Sequence, residues 1–358
     1  MRPSSLWSAA ALAAALTLTV TPAHAAPAGT ERVSTGTGGV QLTAASSGGT
    51  VSADGRYAVF VSADPTGGYD TRVYVKDLRT GTLTQVPEDM LYTTHAVLSA
   101  NGRRVAYSNG NRYPKPYVYD RVTGETQQLW PAQLPDTASY ELGEATAISA
   151  DGRQVAYTIG NRAGDQYARV LYVRDLATGA DERISPLPPE GMIMGASLSA
   201  DGRTVAYGLL VRTGQGAVVQ LYVKDRGTGE TRRVDTGTSA GLVQLSSDGS
   251  RVLFNSLAED GTSAAYVRDL RTDLVQRIAD GVADAADSTL RHVLLAEDDG
   301  LVLLDRRTGE RRTVGPAGAT ALPGAVTRHG RAVVFGSTAD DLVPGDTNGV
   351  SDVFLTVR

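Results

Sequence analysis

The 358-residue sequence contains no cysteine. That excludes disulfides, and it excludes a lipoprotein anchored through a thiol at its processed end, so the fold must be held by burial alone. Histidine is nearly as scarce. His24 lies in the leading segment, and His95, His292 and His329 stand far apart without metal-ligand spacing. No G-x-S-x-G nucleophile elbow occurs, and no glycine-rich phosphate loop joins a strand to a helix. After the leading segment no apolar run approaches the ~18 residues of a membrane span. Lysine occurs only at Lys76, Lys115 and Lys224, so arginine carries nearly all the positive charge.

What is present reads as an ordinary globular chain. It is 41% hydrophobic and 20% charged, with 40 glycines and a formal net charge of -5. An acidic balance with short basic stretches gives no nucleic-acid patch and no pull towards an anionic membrane. Residues 1–25 form a separate unit: Arg2, an apolar stretch from Leu6 to Val20, and Ala23-His24-Ala25 as a small-residue cleavage site. This pattern predicts a signal peptide cut near Ala25 and a secreted, extracellular or cell-wall-associated protein. Residues 26–358 are then expected to be a single domain and a monomer.

Within that domain one phrase recurs. "SADGRQVAY" begins at Ser149 and "SADGRTVAY" at Ser199. The turn residue is Asp54, Asn101, Asp151, Asp201 and Asp248, at steps of 47, 50, 50 and 47 residues. A sixth copy is degenerate, with Asp287 before "RHVLLAE" and its turn expected to be spoiled by Ser288 and Thr289. A seventh carries His329 where aspartate stood. Each copy has a second half of the form "YVKDLRTG", placing Asp77, Asp120, Asp175, Asp225 and Asp269 just before a Thr-Gly or similar turn. Asp-Gly supplies a backbone acceptor and a positive φ, the requirements of a hairpin turn. Four short antiparallel strands in ~45–50 residues, repeated, predict propeller blades.

Seven copies predict a seven-bladed all-β propeller at about 48 residues per blade, with six or eight blades as alternatives. The chain ends before a last fourth strand, and "ERVS" at Glu31–Ser34 matches the fourth-strand text "ERIS" at Glu182–Ser185. The N-terminal strand is therefore expected to complete the final blade and close the ring. The repeat text resembles the TolB-type, WD40-like propeller repeats of bacteria, over nearly the whole chain after residue 25, although the Trp-Asp pair is missing. The resemblance implies a platform fold whose members serve as binding surfaces, peptidase gates or enzymes. The scattered histidines do not supply the histidine-rich centre of an oligogalacturonate-lyase-type propeller.

Function is expected on the rim carrying the variable loops. Its candidate contact residues are Tyr69, Tyr92, Tyr113, Trp130, Tyr140 and Tyr167, with Met192 and Met194; the alternative is that these fill gaps between blades. Arg112, Arg162 and Arg212 each lie eleven residues past their turn residue. Equivalent placement would set three guanidiniums in an arc that receives a carboxylate or phosphate, against simple repeat inheritance. "GDTNGVSDVF" offers Asp346, Asn348 and Asp352 as oxygen ligands for Ca²⁺, or else an Asx-rich turn. The once-per-repeat aspartates read as turn acceptors. No catalytic residue is assigned. The chain reads as a non-catalytic binder of a protein, peptide or cell-wall component, with a carboxylate- or metal-dependent hydrolase or lyase acting in the central funnel as the alternative.

Overall fold

The computed structural model describes residues 29–64, 70–87, 92–134, 141–161, 168–186, 192–214, 216–236, 239–257 and 261–358. Their regular structure is β-strand, apart from a three-residue 3-10 turn at Arg328–Gly330. The strands assemble into antiparallel units that follow the repeats. Unit I is Ser46–Val51, Tyr57–Ala63, Thr71–Asp77 and Leu83–Gln85, in that order across the sheet. Unit II is Thr93–Leu98, Arg104–Asn109, Lys115–Asp120 and Glu125–Gln128. Unit III is Leu142–Ile148, Gln154–Asn161, Ala168–Asp175 and Asp181–Arg183. Unit IV is Met192–Leu198, Thr204–Thr213, Gly216–Asp225 and Thr231–Arg233. Unit V is Ala240–Leu245, Arg251–Leu257, Ser263–Asp269 and Val275–Asp280. Unit VI is Val282–Ala286, His292–Glu297, Gly300–Asp305 and Arg311–Pro316. A parallel bridge between Arg169 and Met192 links units III and IV into one sheet.

The repeated phrase builds the first turn of each unit. In unit I the Ser52 hydroxyl donates to Asp54 at 2.6 Å and accepts the Tyr57 N–H at 2.9 Å, while Asp54 accepts the Arg56 N–H at 3.0 Å. The same triad recurs at Ser99–Asn101, Ser149–Asp151, Ser199–Asp201 and Ser246–Asp248. The sixth copy corrects the sequence reading. Its turn survives, with Asp287 in the serine position and Leu290, at φ 57°, in the glycine position. Asp287 accepts N–H groups from Thr289 and Arg291 at 3.0 Å each and meets His292 Nδ1 at 2.6 Å. An aspartate two turn positions earlier thus replaces the serine hydroxyl with a carboxylate and draws a histidine beneath it.

The second turn bears out the aspartate reading. Asp77 accepts N–H groups from Arg79 and Thr80 at 3.0 and 3.2 Å, and Asp175, Asp225 and Asp269 do the same in their units. The arginine after the first turn reaches this aspartate in the Arg56–Asp77, Arg103–Asp120, Arg203–Asp225, Arg251–Asp269 and Arg291–Asp305 pairs. Both turns therefore lie on one regular face.

Each unit is apolar on both sides, which is why its strands show apolar runs rather than alternation. A stacked aromatic pair crosses the second and third strands in five units: Phe60–Tyr74, Tyr107–Tyr117, Tyr157–Tyr172, Tyr207–Tyr222 and Phe254–Tyr266. Unit VI has Leu295 opposite Val302 at that rung. The core is divided into clusters that each straddle two successive units; Val59 and Val75 pack with Leu98 and Val105, and Leu253 and Val267 with Val293 and Leu295.

The chain ends meet. Ala332–Ser337 pairs with Asp352–Val357, which pairs on its other edge with Thr30–Arg32, in register Glu31 to Leu355. Phe335 and Phe354 stack here as the aromatic pairs do elsewhere. Val33, Val334, Val353 and Leu355 then pack against Val51, Ala58 and Phe60 of unit I. On its other side this terminal sheet packs against unit VI, where Phe335 and Phe354 cluster with Leu294 and Leu303. Lys76, 5% exposed, pins the incoming segment by donating to Thr35 O at 2.7 Å and Gly36 O at 3.1 Å.

Candidate functional site

The first strands of the units surround a cavity of about 640 Å³. Its wall is mostly small and apolar, including Val51, Val97, Ala145, Leu198, Leu242 and Val326. Every one of the first strands in units I–VI carries a β-bulge, between Ser47 and Thr50, Thr93 and His95, Ala145 and Ala147, Ile193 and Gly195, Leu242 and Gln244, and Ala283 and Ala285. A bulge breaks the ladder and frees backbone groups towards the neighbour. Side chains of the adjoining unit collect them. Thr50 accepts the Leu98 N–H, Ser108 the Ala145 N–H, and Ser197 the Leu245 N–H, each at 3.0 Å, and Gln244 accepts the Ala286 N–H at 3.3 Å. Much of the polar lining is therefore occupied in joining units.

Two side chains at the variable-loop end are not used this way. His95 lies opposite Ser108 in unit II, and Glu144 lies opposite Thr158 at the matching rung of unit III. Arg169 grips Glu144 bidentately, Nη1 to Oε2 at 2.6 Å and Nη2 to Oε1 at 3.1 Å. The pair keeps partial access to solvent, with side chains 25% and 37% exposed. Burial holds the His95 imidazole below its ordinary pKa, with Glu144 pulling the other way, so the ring is neutral at pH 7. Among the described residues the ring makes no hydrogen bond. Neither residue was a sequence candidate. Each occurs once, outside the repeated phrase, and the bulges shift the side-chain alternation that would have placed them on the axis.

The other end is ringed by the residue that follows the turn serine, or Asp287 and Thr327 in its place: Ala53, Ala100, Ala150, Ala200, Ser247, Ser288 and Arg328 all line the cavity. Backbone hydrogen bonds run from unit to unit around this ring, from Ala53 N to Ala100 O, Ala150 N to Ala200 O, Ala200 N to Ser247 O and Ser247 N to Ser288 O.

On the variable rim the structure separates the sequence candidates. Tyr69, Tyr140, Tyr167 and Arg162 lie outside the described residues. Tyr113 is 41% exposed, with the Arg112 guanidinium 5.5 Å from its ring centroid. Trp130 is half-buried against the core between units II and III, with Lys115 Nζ 4.1 Å from its ring centroid. Burial lowers the Lys115 pKa, opposed by Glu141, whose carbonyl it also bonds. Tyr92 is half-buried and its carbonyl accepts the Gly110 N–H at 2.9 Å. Met192 is half-buried and Met194, on the cavity wall, is 54% exposed.

The equal eleven-residue spacing of the arginines does not put Arg112 and Arg212 in equivalent structure. The unit II hairpin ends at Asn109–Lys115, leaving Arg112 in its loop. The unit IV hairpin continues to Thr213–Gly216, so Arg212 sits on a strand opposite Ala217.

Asp346, Asn348 and Asp352 do come together, around Arg32. Arg32 Nη2 lies 3.0 Å from Asp346 and Nε 3.3 Å from Asp352, at ion-pair distance but without well-aligned hydrogen bonds. Gln41 donates to both aspartates at 2.8 Å, Ser34 donates to Asp352 at 2.5 Å, and Asn348 donates to Asp352 at 3.1 Å. The oxygens proposed as ligands are thus turned towards a guanidinium and amide donors.

No protein-family model matches the sequence, and no curated protein matches it. By structure the chain is similar to an oligogalacturonate lyase in complex with manganese, with TM-score 0.68 and 15% identity over 94% of this chain and 95% of that one. It is also similar to the β-propeller domain of the Trilobed protease from Pyrococcus furiosus, described as having an open velcro topology, with TM-score 0.56 and 14% identity over 82% and 91%. A TolB from Acinetobacter baumannii aligns at TM-score 0.49 and 14% identity over 86% of this chain and 65% of that one. At these identities the likeness is one of fold, a β-propeller. The donor set does not fit a manganese centre: among the described residues no three His, Cys, Asp or Glu side chains gather, and Glu144 is held by Arg169.

Proposed function

We propose that the chain is an exported seven-bladed propeller, latched by its N-terminal strand, that binds a protein, peptide or cell-wall glycan on its variable face. The observation that carries this reading is the variable-side chemistry. Cations are already laid against aromatic rings at Lys115–Trp130 and Arg112–Tyr113, and the mouth carboxylate Glu144 is committed to Arg169. Amphipathic aromatic and guanidinium groups are the usual anchors of recognition surfaces. The cyclic order of the packing clusters supports seven blades, and the pairing of Thr30–Arg32 with Asp352–Val357 supports the latch.

The test is sedimentation of the purified protein with isolated cell-wall sacculi, together with a displayed peptide library. An Arg112→Glu, Tyr113→Ser double variant is expected to weaken the selected interaction at least tenfold while leaving the melting temperature unchanged. Equal binding by the variant and the wild type would remove the variable rim as the docking surface.

A lyase or hydrolase reading is second. It is favoured by a neutral imidazole beside a carboxylate in a cavity, and by the shared fold with a lyase. Turnover of oligosaccharide probes that disappears in His95→Gln would replace the binding reading with this one.

A further inference from the structure

The turn-side ring of the cavity breaks its own pattern at one place. Six of its seven positions are alanine or serine, and the seventh is Arg328. The substitution falls in the copy whose turn is most altered, with His329 at φ 69° and Gly330 at φ 62°. Arg328 lines the cavity, and among the described residues it makes no ion pair or hydrogen bond. Arg328 is exposed to solvent and lines the turn-side end of a cavity whose wall is mostly apolar. Across the wall from this ring to the Glu144 rung is about six residues of strand, roughly 20 Å.

We infer that the cavity binds an elongated monocarboxylate with an apolar body, its carboxylate on Arg328 and its chain running up the axis towards His95. The charge pattern selects this chemistry. Among the described residues Arg328 is the one lysine or arginine lining the cavity, and Glu144 the one carboxylate. A planar guanidinium fork pairs a single carboxylate bidentately, whereas a dianionic phosphate would ask for a second cation. Glu144 at the far end disfavours a second acid group there, and the walls between suit methylenes. A volume of about 640 Å³ lies in the range of small-molecule sites.

This site goes beyond the rim docking proposed above, because its anchor stands on the regular face. Failure here leaves the Arg112 and Tyr113 result untouched, and failure there leaves this one.

The experiment is calorimetric titration of the purified protein with decanoate and, separately, with 1-decanol, below their aggregation concentrations. Decanoate is expected to bind at least tenfold more tightly than decanol. Arg328→Gln should lose that tenfold preference while still binding decanol as the wild type does. Absence of decanoate binding, equal affinity for decanol, or indifference to Arg328→Gln would each overturn the assignment.

Discussion

At the scale of single residues, the repeated glycine is required twice over. Gly102 has φ 69°, and a Cβ placed on it would lie 2.5 Å from the Tyr57 ring of the preceding unit. That ring is itself covered by Arg121 at 3.8 Å, and Arg121 donates to the Gly102 carbonyl at 2.6 Å. Gly81 has φ 73° with nothing within 4 Å of an added Cβ. Alanine at either position should cost about 1–2 kcal/mol for the left-handed backbone. Gly102→Ala should lose roughly 1 kcal/mol or more in addition, because the ring must move in a packed interface. Urea denaturation of the two variants reads the difference; equal losses would mean that the inter-unit approach is not tight. The positive φ was legible in the Asp-Gly phrase, but the approach to Tyr57 was not, since it joins residues 45 positions apart.

The turn aspartates carry a pH dependence at the same scale. Burial raises the Asp120 pKa, but hydrogen bonds from Arg103, the Val122 N–H and Arg104 outweigh it and hold the group at about 2. Asp248 is also held at about 2, against burial, by Ser246 and Ser250. An unfolded aspartate titrates at about 3.9. A depressed folded value means that the stabilisation is complete above about pH 5 and is lost as the pH falls through 4 towards 2. Urea midpoints should therefore be flat from neutral pH to about 5 and drop below it, and Asp120→Asn should flatten part of that drop. A midpoint that stays level down to pH 3 would show that these contacts do not survive in the unfolded-state balance.

At the scale of elements, the first strands depend on their neighbours. Thr50 is 1% exposed and its hydroxyl accepts the buried Leu98 N–H of the next unit. Thr50→Val keeps the volume and leaves that N–H without an acceptor, a loss of about 1–3 kcal/mol. Thr146→Val is the control, since Thr146 donates to Ala156 O inside its own sheet and its removal strands no N–H. Amide exchange should show Leu98 deprotected in the first variant and protected in the second; protection in both would mean another group takes over. This layer was illegible for a physical reason. The sequence shows an apolar run with scattered hydroxyls, and only the bulge decides which hydroxyl turns to the axis and which to the neighbouring strand. The hairpins themselves were legible because turn chemistry is local: Ser, Asp and Gly act within five residues of one another. Glu144 and Arg169, 25 positions apart and unrepeated, left no such trace.

At the scale of the molecule, the match between "ERVS" and "ERIS" was enough to foresee a head-to-tail strand, because blade text repeats even when its parts are split between the chain ends. The residues around that strand, Asp346, Asn348 and Asp352, were read in the sequence as calcium ligands or else an Asx-rich turn, with no part for Arg32. Asp346 and Asp352 are 3% and 1% exposed and face Arg32, itself 8% exposed. Two buried carboxylates around one guanidinium are stable only while the guanidinium is present. Arg32→Ala should therefore cost about 3–5 kcal/mol by leaving both carboxylates uncompensated. It should also free the N-terminal strand from Asp352–Val357, making residues near Thr30 susceptible to limited proteolysis while units II–V stay resistant. Wild-type protein should melt at the same temperature with and without a calcium chelator, since its aspartates already have a cationic partner. A chelator-dependent melting temperature would hand those oxygens back to a metal ion, and an Arg32→Ala protein as stable as the wild type would show that strand pairing and the Val33 contacts close the fold without the charge.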